Sequence, residues 1–193
     1  IFNGNGYDDA WVAEAARRGL ANLRDTVDCM PAYIDKKNID LFTKHAVLTE
    51  TEMRARYEIH LENYCKVTTI EAHTLLDMAT RGILPAAGKY ADSLAQTLFH
   101  KKNCGISLPT VMEERTLSRV SEQSAALFRI CEDLQTALHN APAADGGIDV
   151  ARWYRAEIAA RTQQAGELIN QLETIVDAAY WPYPTYADIL FSV

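Results

Sequence analysis

The stretch that decides the fold is Thr49 to Ala79, TETEMRARYEIHLENYCKVTTIEAHTLLDMA. Thr49 and Glu52 stand three apart, the spacing of a capping box, in which hydroxyl and carboxylate satisfy each other's free backbone N–H groups. Leu48 and Met53 occupy the positions of a hydrophobic staple. From Met53 onward, Tyr57, Leu61, Tyr64, Thr68, Ala72, Leu75 and Ala79 recur at steps of three and four. Such steps lay a stripe along one face of an α-helix, whereas a half-buried strand would alternate. The stretch therefore predicts a helix of roughly 30 residues, about 45 Å long. Gly82 and Pro85 follow it. Proline inside a helix removes a hydrogen bond and crowds the preceding turn, so a kink or break is expected near 82–85. Helix should resume to about Lys102 and end at Gly105.

The pattern repeats outward. Thr110 and Glu113 form a second T-x-x-E just after Pro109, predicting another capping box. Its seam is Leu117, Val120, Ser124, Leu127, Cys131, Leu134 and Leu138. A loop from Ala141 to Gly147 follows, and Asp149 is expected to cap a last long helix. That seam is Tyr154, Ile158, Arg161, Ala165, Leu168, Leu172, Ile175 and Ala179, stopped by Pro182 and Pro184. Thr185 can start one more short turn through Leu190. Towards the other end, Asp8 and Asp9 open a first helix and Arg17 and Arg18 close it, matching the helix dipole, with Gly19 as the stop. Residues 20–35 are irregular or hold a short helix punctuated by Pro31, and another short helix runs from about Lys36 to His45. The expected fold is all-α: an antiparallel bundle of about three long helices, one kinked near Pro85, with short helices at both ends. Sustained 3-4 spacing favours shallow crossing angles of about 20°. Residues 1–35 read as a leading arm and 36–193 as the bundle domain.

Composition agrees. There are 28 Ala against 22 Val plus Ile, with 9 Gly and 6 Pro, a balance that leans to helix. Charged residues make up 23% and hydrophobic ones 48%, which is ordinary for a globular chain. No apolar run approaches the roughly 18–20 residues of a membrane span. The net charge of −7 argues against a nucleic-acid surface, which needs clustered Lys and Arg. Cys29, Cys65, Cys104 and Cys131 contain no CxxC, and free thiols fit a helical chain in the cytoplasm better than disulfides do. The chain starts at Ile1 with neither Met nor signal peptide, and reads as the tail of a longer protein.

No self-contained active site emerges. No Glu has a His three positions later, so the di-iron pattern of helical bundles is missing. The histidines, His45, His60, His73, His100 and His139, are too far apart for a local metal motif, leaving only a site assembled from distant ones. Asn3-Gly4-Asn5-Gly6 precedes a helix, but Asp8 and Asp9 would repel phosphate, so a tight turn is the simpler reading. No G-x-S-x-G occurs, and Cys65 and Cys131 lie on or beside apolar seams. Glu113-Glu114 and Glu132-Asp133 read as solvated surface charge. Trp181, Tyr183, Tyr186 and Phe191, in the Pro-rich tail, are the candidate subunit or domain contacts. Rigid rings can anchor a partner at low entropy cost, or fold back to cap the bundle end.

Three stretches carry a family resemblance. The first is Phe2-Asn3-Gly4-Asn5-Gly6-Tyr7, with Trp11 and Arg18-Gly19-Leu20 after it. The second runs from Lys44-His45 through Arg56-Tyr57-Glu58-Ile59, Leu61-Glu62-Asn63-Tyr64, Ile70-Glu71-Ala72 and Asp77-Met78-Ala79 to Ile83-Leu84-Pro85-Ala86. The third is Trp181-Pro182 with Pro184-Thr185-Tyr186, Asp188 and Leu190-Phe191. Together they resemble the C-terminal region of type III glutamine synthetases. Where the resemblance leads one to expect Gly after Lys44-His45, the chain has Ala46, which suggests a different turn geometry.

The resemblance implies a parent enzyme that makes glutamine from glutamate, ammonia and ATP, with Mg2+ or Mn2+ clamping the phosphates. Its catalytic residues would lie in a domain upstream of Ile1, so no catalytic, cofactor-binding or metal residue carries over to this chain. The implied partners are that upstream domain and further subunits, because the family builds ring-shaped homo-oligomers. The implied role is structural. Another reading is a stand-alone helical interaction module, or, more weakly, a bundle that binds a small regulator or a metal between its helices. The upstream reading frame discriminates between a domain and a module.

Overall fold

The computed structural model describes residues 3–191, and among them every regular element is helical. The elements are α1 (Asp9–Arg17), α2 (Thr26–Tyr33), α3 (Lys36–Lys44), α4 (Glu50–Met78), α5 (Leu84–Asn103), α6 (Val111–His139), α7 (Gly147–Tyr154), α8 (Ala160–Glu173) and α9 (Tyr186–Leu190). Two five-residue π turns, Ala79–Ile83 and Arg155–Ala159, join α4 to α5 and α7 to α8. The long helices therefore form two continuous runs, 50–103 and 147–173, with α6 as the third. No helix among the described residues is long and apolar enough to cross a membrane.

Contacts divide the chain into two units, Ile1–Tyr64 and Cys65–Val193, with the boundary inside α4. In the first unit, Asp8 caps α1 by accepting from the Ala10 N–H at 3.3 Å. Arg17 and Arg18 both donate to Glu14 and hold its carboxyl down to about 2. Asp25 caps α2 through the Asp28 N–H at 2.8 Å, and α2 buries Val27 and Met30. Pro31 lies inside α2 instead of interrupting it. The helix ends two residues later, so little of the hydrogen-bond ladder is lost.

Two helix ends in this unit use the same device. At the end of α1 the Gly19 N–H donates to the Ala16 carbonyl and the Leu20 N–H to the Ala15 carbonyl. At the end of α3 the Ala46 N–H donates to Thr43 and the Val47 N–H to Phe42. Both are Schellman motifs, which place one residue in the left-handed region. Gly19 sits there at φ 73°, and Ala46 at φ 51°. The turn at Ala46 thus keeps the geometry that glycine favours, contrary to the expectation that alanine there meant a different turn. The side chain bears the strain instead.

The start of α4 is as its sequence predicts. The Glu52 carboxylate accepts from the Thr49 N–H at 2.8 Å, and the Thr49 hydroxyl accepts from the Glu52 N–H at 3.2 Å. Met53, Tyr57, Leu61, Thr68, Ala72 and Ala79 are all buried, and Cys65 with them.

The second unit is a bundle centred on α6, which packs against α5, α8 and both π turns. Its core is Ala79, Ile83, Ala87, Val120, Leu127, Cys131, Ala165, Leu172 and Val176. The first π turn explains how helix survives Gly82 and Pro85. The Leu84 N–H reaches back to the Ala79 carbonyl, one residue further than in an α-helix. Widening this turn makes room for the pyrrolidine ring, so the helix continues without a break, and a π turn at this place is a recognised source of the kink that the sequence predicts near 82–85. Two details differ from expectation. α7 begins at Gly147 with Gly146 at the cap, so Asp149 sits in the first turn and bonds Arg152 at 2.9 Å. α8 stops at Glu173, well before Pro182. Thr174, Ile175 and Val176 form a β-branched run, and Asp177 accepts from the Ala179 N–H at 2.7 Å, giving the backbone a local alternative to helix.

Candidate functional site

The aromatic tail divides in two. Val176 is buried, and the Tyr180 ring meets Tyr90 at 5.6 Å between centroids. Trp181 and Tyr183 are half-buried against the core. Tyr183 lies directly over Gly82: a Cβ there would stand 2.7 Å from the phenol oxygen and 3.0 Å from Cε2. The glycine in the π turn is thus the seat of the tail. Thr185 and Asp188 then build a capping box on α9. The Tyr186 N–H donates to Glu173 at 3.0 Å, and its hydroxyl bonds Asn170 at 3.3 Å, yet its ring is 58% exposed. Phe191 is more exposed still. Of the four candidate contact residues, Trp181 and Tyr183 fold back, while Tyr186 and Phe191 face solvent.

Beside the tail runs an apolar groove of about 480 Å³, with Ile70, Leu75, Met78 and Ile83 on one side and Gly166 and Ile169 on the other. A smaller cavity of about 230 Å³ continues it beneath Trp181, Tyr183 and Ile189. A second cleft lies between α4 with its π turn and α6. His73, Asp77, Arg81, Gln135 and His139 line it. Two histidines 66 positions apart thus share one cleft, which no spacing rule could reveal. Arg81 is already paired with Asp77 at 3.0 Å. Among the described residues no three His, Cys, Asp or Glu side chains gather as metal ligands. All four cysteines are free. Burial pushes the Cys65 and Cys131 thiols up, as expected of core thiols and not of nucleophiles.

The α5–α6 hairpin tip overturns one sequence reading. Glu113 is not a solvated surface charge and does not close a capping box. It is 2% exposed and pairs with Lys101 at 2.5 Å. The Lys101 ammonium holds its carboxyl below the usual range, against the opposing effect of burial. Lys101 is also 3.4 Å from the Pro109 carbonyl. Thr110 turns instead to Glu114, at 3.2 Å. Glu114 stays exposed and pairs with Lys102 at 2.9 Å, while Glu132 and Asp133 are exposed as expected. At the opposite end of the chain, Asn5 and Gly6 lie in a turn leading into α1, with the Tyr7 N–H donating to the Asn5 side chain.

Comparison with known proteins identifies the family. Residues 1–102 match the family model of the glutamine synthetase C-terminal domain. The chain belongs to that family. It is 34% identical, over its whole length, to a glutamine synthetase of Butyrivibrio fibrisolvens, of which it covers 28%. It is 27% identical to the type-3 glutamine synthetase of Dictyostelium discoideum and to a glutamine synthetase of Bacteroides fragilis, covering 26% and 27% of them. The chain thus spans little more than a quarter of the length of these relatives. The family match ends at residue 102, just before the α5–α6 loop, while the match to the Butyrivibrio fibrisolvens relative runs on through α6 to α9.

Proposed function

We propose that this chain is the C-terminal helical domain of a glutamine synthetase, with a structural role: it packs on the catalytic domain and holds subunits together. The observation that carries this reading is the match of the whole chain to about a quarter of an enzyme. ATP and Mg2+ or Mn2+ belong, on this reading, to the remaining three quarters. There the metal would stabilise the charge of phosphoryl transfer to glutamate. Free, partly buried thiols are consistent with a reducing cytoplasm.

The test is an assay of the purified chain with glutamate, ammonia, ATP and Mg2+, beside the enzyme containing it. The chain alone should fold, give a helical circular dichroism spectrum and form no glutamine. Glutamine formation by the chain alone would overturn the reading. Deleting residues 104–193 from the enzyme should shift its sedimentation to smaller species. An unchanged assembly would remove the subunit-holding part of the proposal.

A further inference from the structure

The hairpin tip combines three features that the fold does not require together. It is rigidly held: Lys101–Glu113 and Lys102–Glu114 clasp the end of α5 to the start of α6. It is apolar: Phe99, Ile106, Leu108, Val111 and Met112 are 40–66% exposed within fourteen positions. Single exposed hydrophobic residues need no explanation, but a cluster of this density marks an interaction surface. It carries both charge signs at its surface: Lys102 ends α5 and Glu114 begins α6, each about half exposed although they pair with one another, while Lys101 and the buried Glu113 neutralise each other.

From these features we propose that the α5–α6 tip is a self-association surface, which meets the same tip of a second copy about a two-fold axis. A two-fold contact brings a patch onto itself, so it must be self-complementary. A patch of one sign would repel its copy. Here rotation can set Lys102 of one copy against Glu114 of the other, the two exposed groups exchanging their internal pair for one across the axis, and charge complementarity of this kind fixes register and partner. The apolar residues supply the area, and the Lys101–Glu113 clasp means that little order is lost on docking. The proposal rests on the assembly role given above and names its surface.

The experiment is sedimentation of the purified chain over a concentration series, with Lys102→Glu, Glu114→Lys and the double variant. Like charges facing one another across the axis oppose docking, so each single variant should weaken association by about tenfold or more. The double variant restores both signs and should associate like the unaltered chain. An equimolar mixture of the two single variants should form heterodimers. Circular dichroism of each variant checks that helix content is kept. Cys104, exposed on the same loop, supplies a second readout: mild oxidation should cross-link the unaltered chain, and Cys104→Ser should abolish the product. Association that neither single variant changes overturns the tip while leaving the assembly role standing. A chain monomeric at every concentration and never cross-linked overturns the tip as well. The assembly role then stands or falls on the sedimentation of the truncated enzyme. Protection of the tip only when the upstream domain is attached would mean that the domain, and not a second copy, is the occupant.

Discussion

The two long helical runs, 50–103 and 147–173, each contain a five-residue π turn, but they come by it differently. The first turn, Ala79–Ile83, holds Gly82 and precedes Pro85. It has a steric cause, and its extra space is put to use, because Tyr183 lies on the glycine. The second turn, Arg155–Ala159, contains neither Gly nor Pro. Its Ala160 N–H still reaches back to the Arg155 carbonyl, and Arg161 braces the turn by donating to the carbonyl and carboxylate of Glu157, both at 2.7 Å. A π turn inserts one residue and shifts the apolar register by about 100°. Both insertions keep buried residues on the core side: Ala79 and Ile83 in one, Ile158 in the other. Proline forces the first adjustment, whereas core packing sets the second.

The two runs share one core through α6, and the largest effect should come from emptying it. Leu127 on α6 and Leu172 on α8 are both fully buried. Leu127→Ala and Leu172→Ala should each destabilise the chain by about 2–5 kcal/mol, the usual range for a buried leucine. Urea unfolding with an unchanged slope would read this out. A loss below about 0.5 kcal/mol for Leu172→Ala alone would break the comparison, since the second run would then not share the core.

The same contrast explains what the sequence could reveal. Long periodic stripes such as Met53 to Ala79 are legible because burial of one face repeats a local rule many times. Single polar residues are not. Thr49-x-x-Glu52 and Thr110-x-x-Glu113 have identical spacing, yet only the first forms a capping box. At the second, Lys101 lies across the hairpin and draws Glu113 inward. Charge twelve residues away outcompetes a local motif, and no local rule contains it. The second π turn was equally invisible, having no Pro or Gly to announce it. The tail lay between these extremes. Its aromatic content fits a partner anchor and a fold-back cap equally, and only the Tyr183–Gly82 seat shows which rings fold back.

Each run also holds a glycine whose replacement by alanine sharpens the contrast. In the first run Gly82→Ala brings a methyl to 2.7 Å from the Tyr183 hydroxyl. Overpacking costs about 1–3 kcal/mol, and alanine returns about 1 kcal/mol in helix propensity. A net loss on the order of 1 kcal/mol is expected. The tail should loosen with it, visible as faster hydrogen exchange or proteolysis after Tyr180. Adding Tyr183→Ala should remove the penalty, so that the two changes are strongly non-additive in a double-mutant cycle. Additive effects would mean that Tyr183 does not rest on the glycine.

In the second run the same substitution should have the opposite sign. A Cβ on Gly166 meets nothing within 4 Å, and the residue lies inside α8 at the wall of the apolar groove. No contact opposes the methyl, and alanine removes conformational freedom from the unfolded chain. Gly166→Ala should therefore stabilise the isolated chain by about 0.5–1 kcal/mol. The unfolding midpoint should rise at constant slope. A loss instead would mean that something occupies the groove at Gly166, and the same pair of variants in the assembled enzyme would show where. If Gly166→Ala stabilises the chain alone but weakens the assembly, the occupant is another part of the enzyme. If it stabilises both, the groove is open in each.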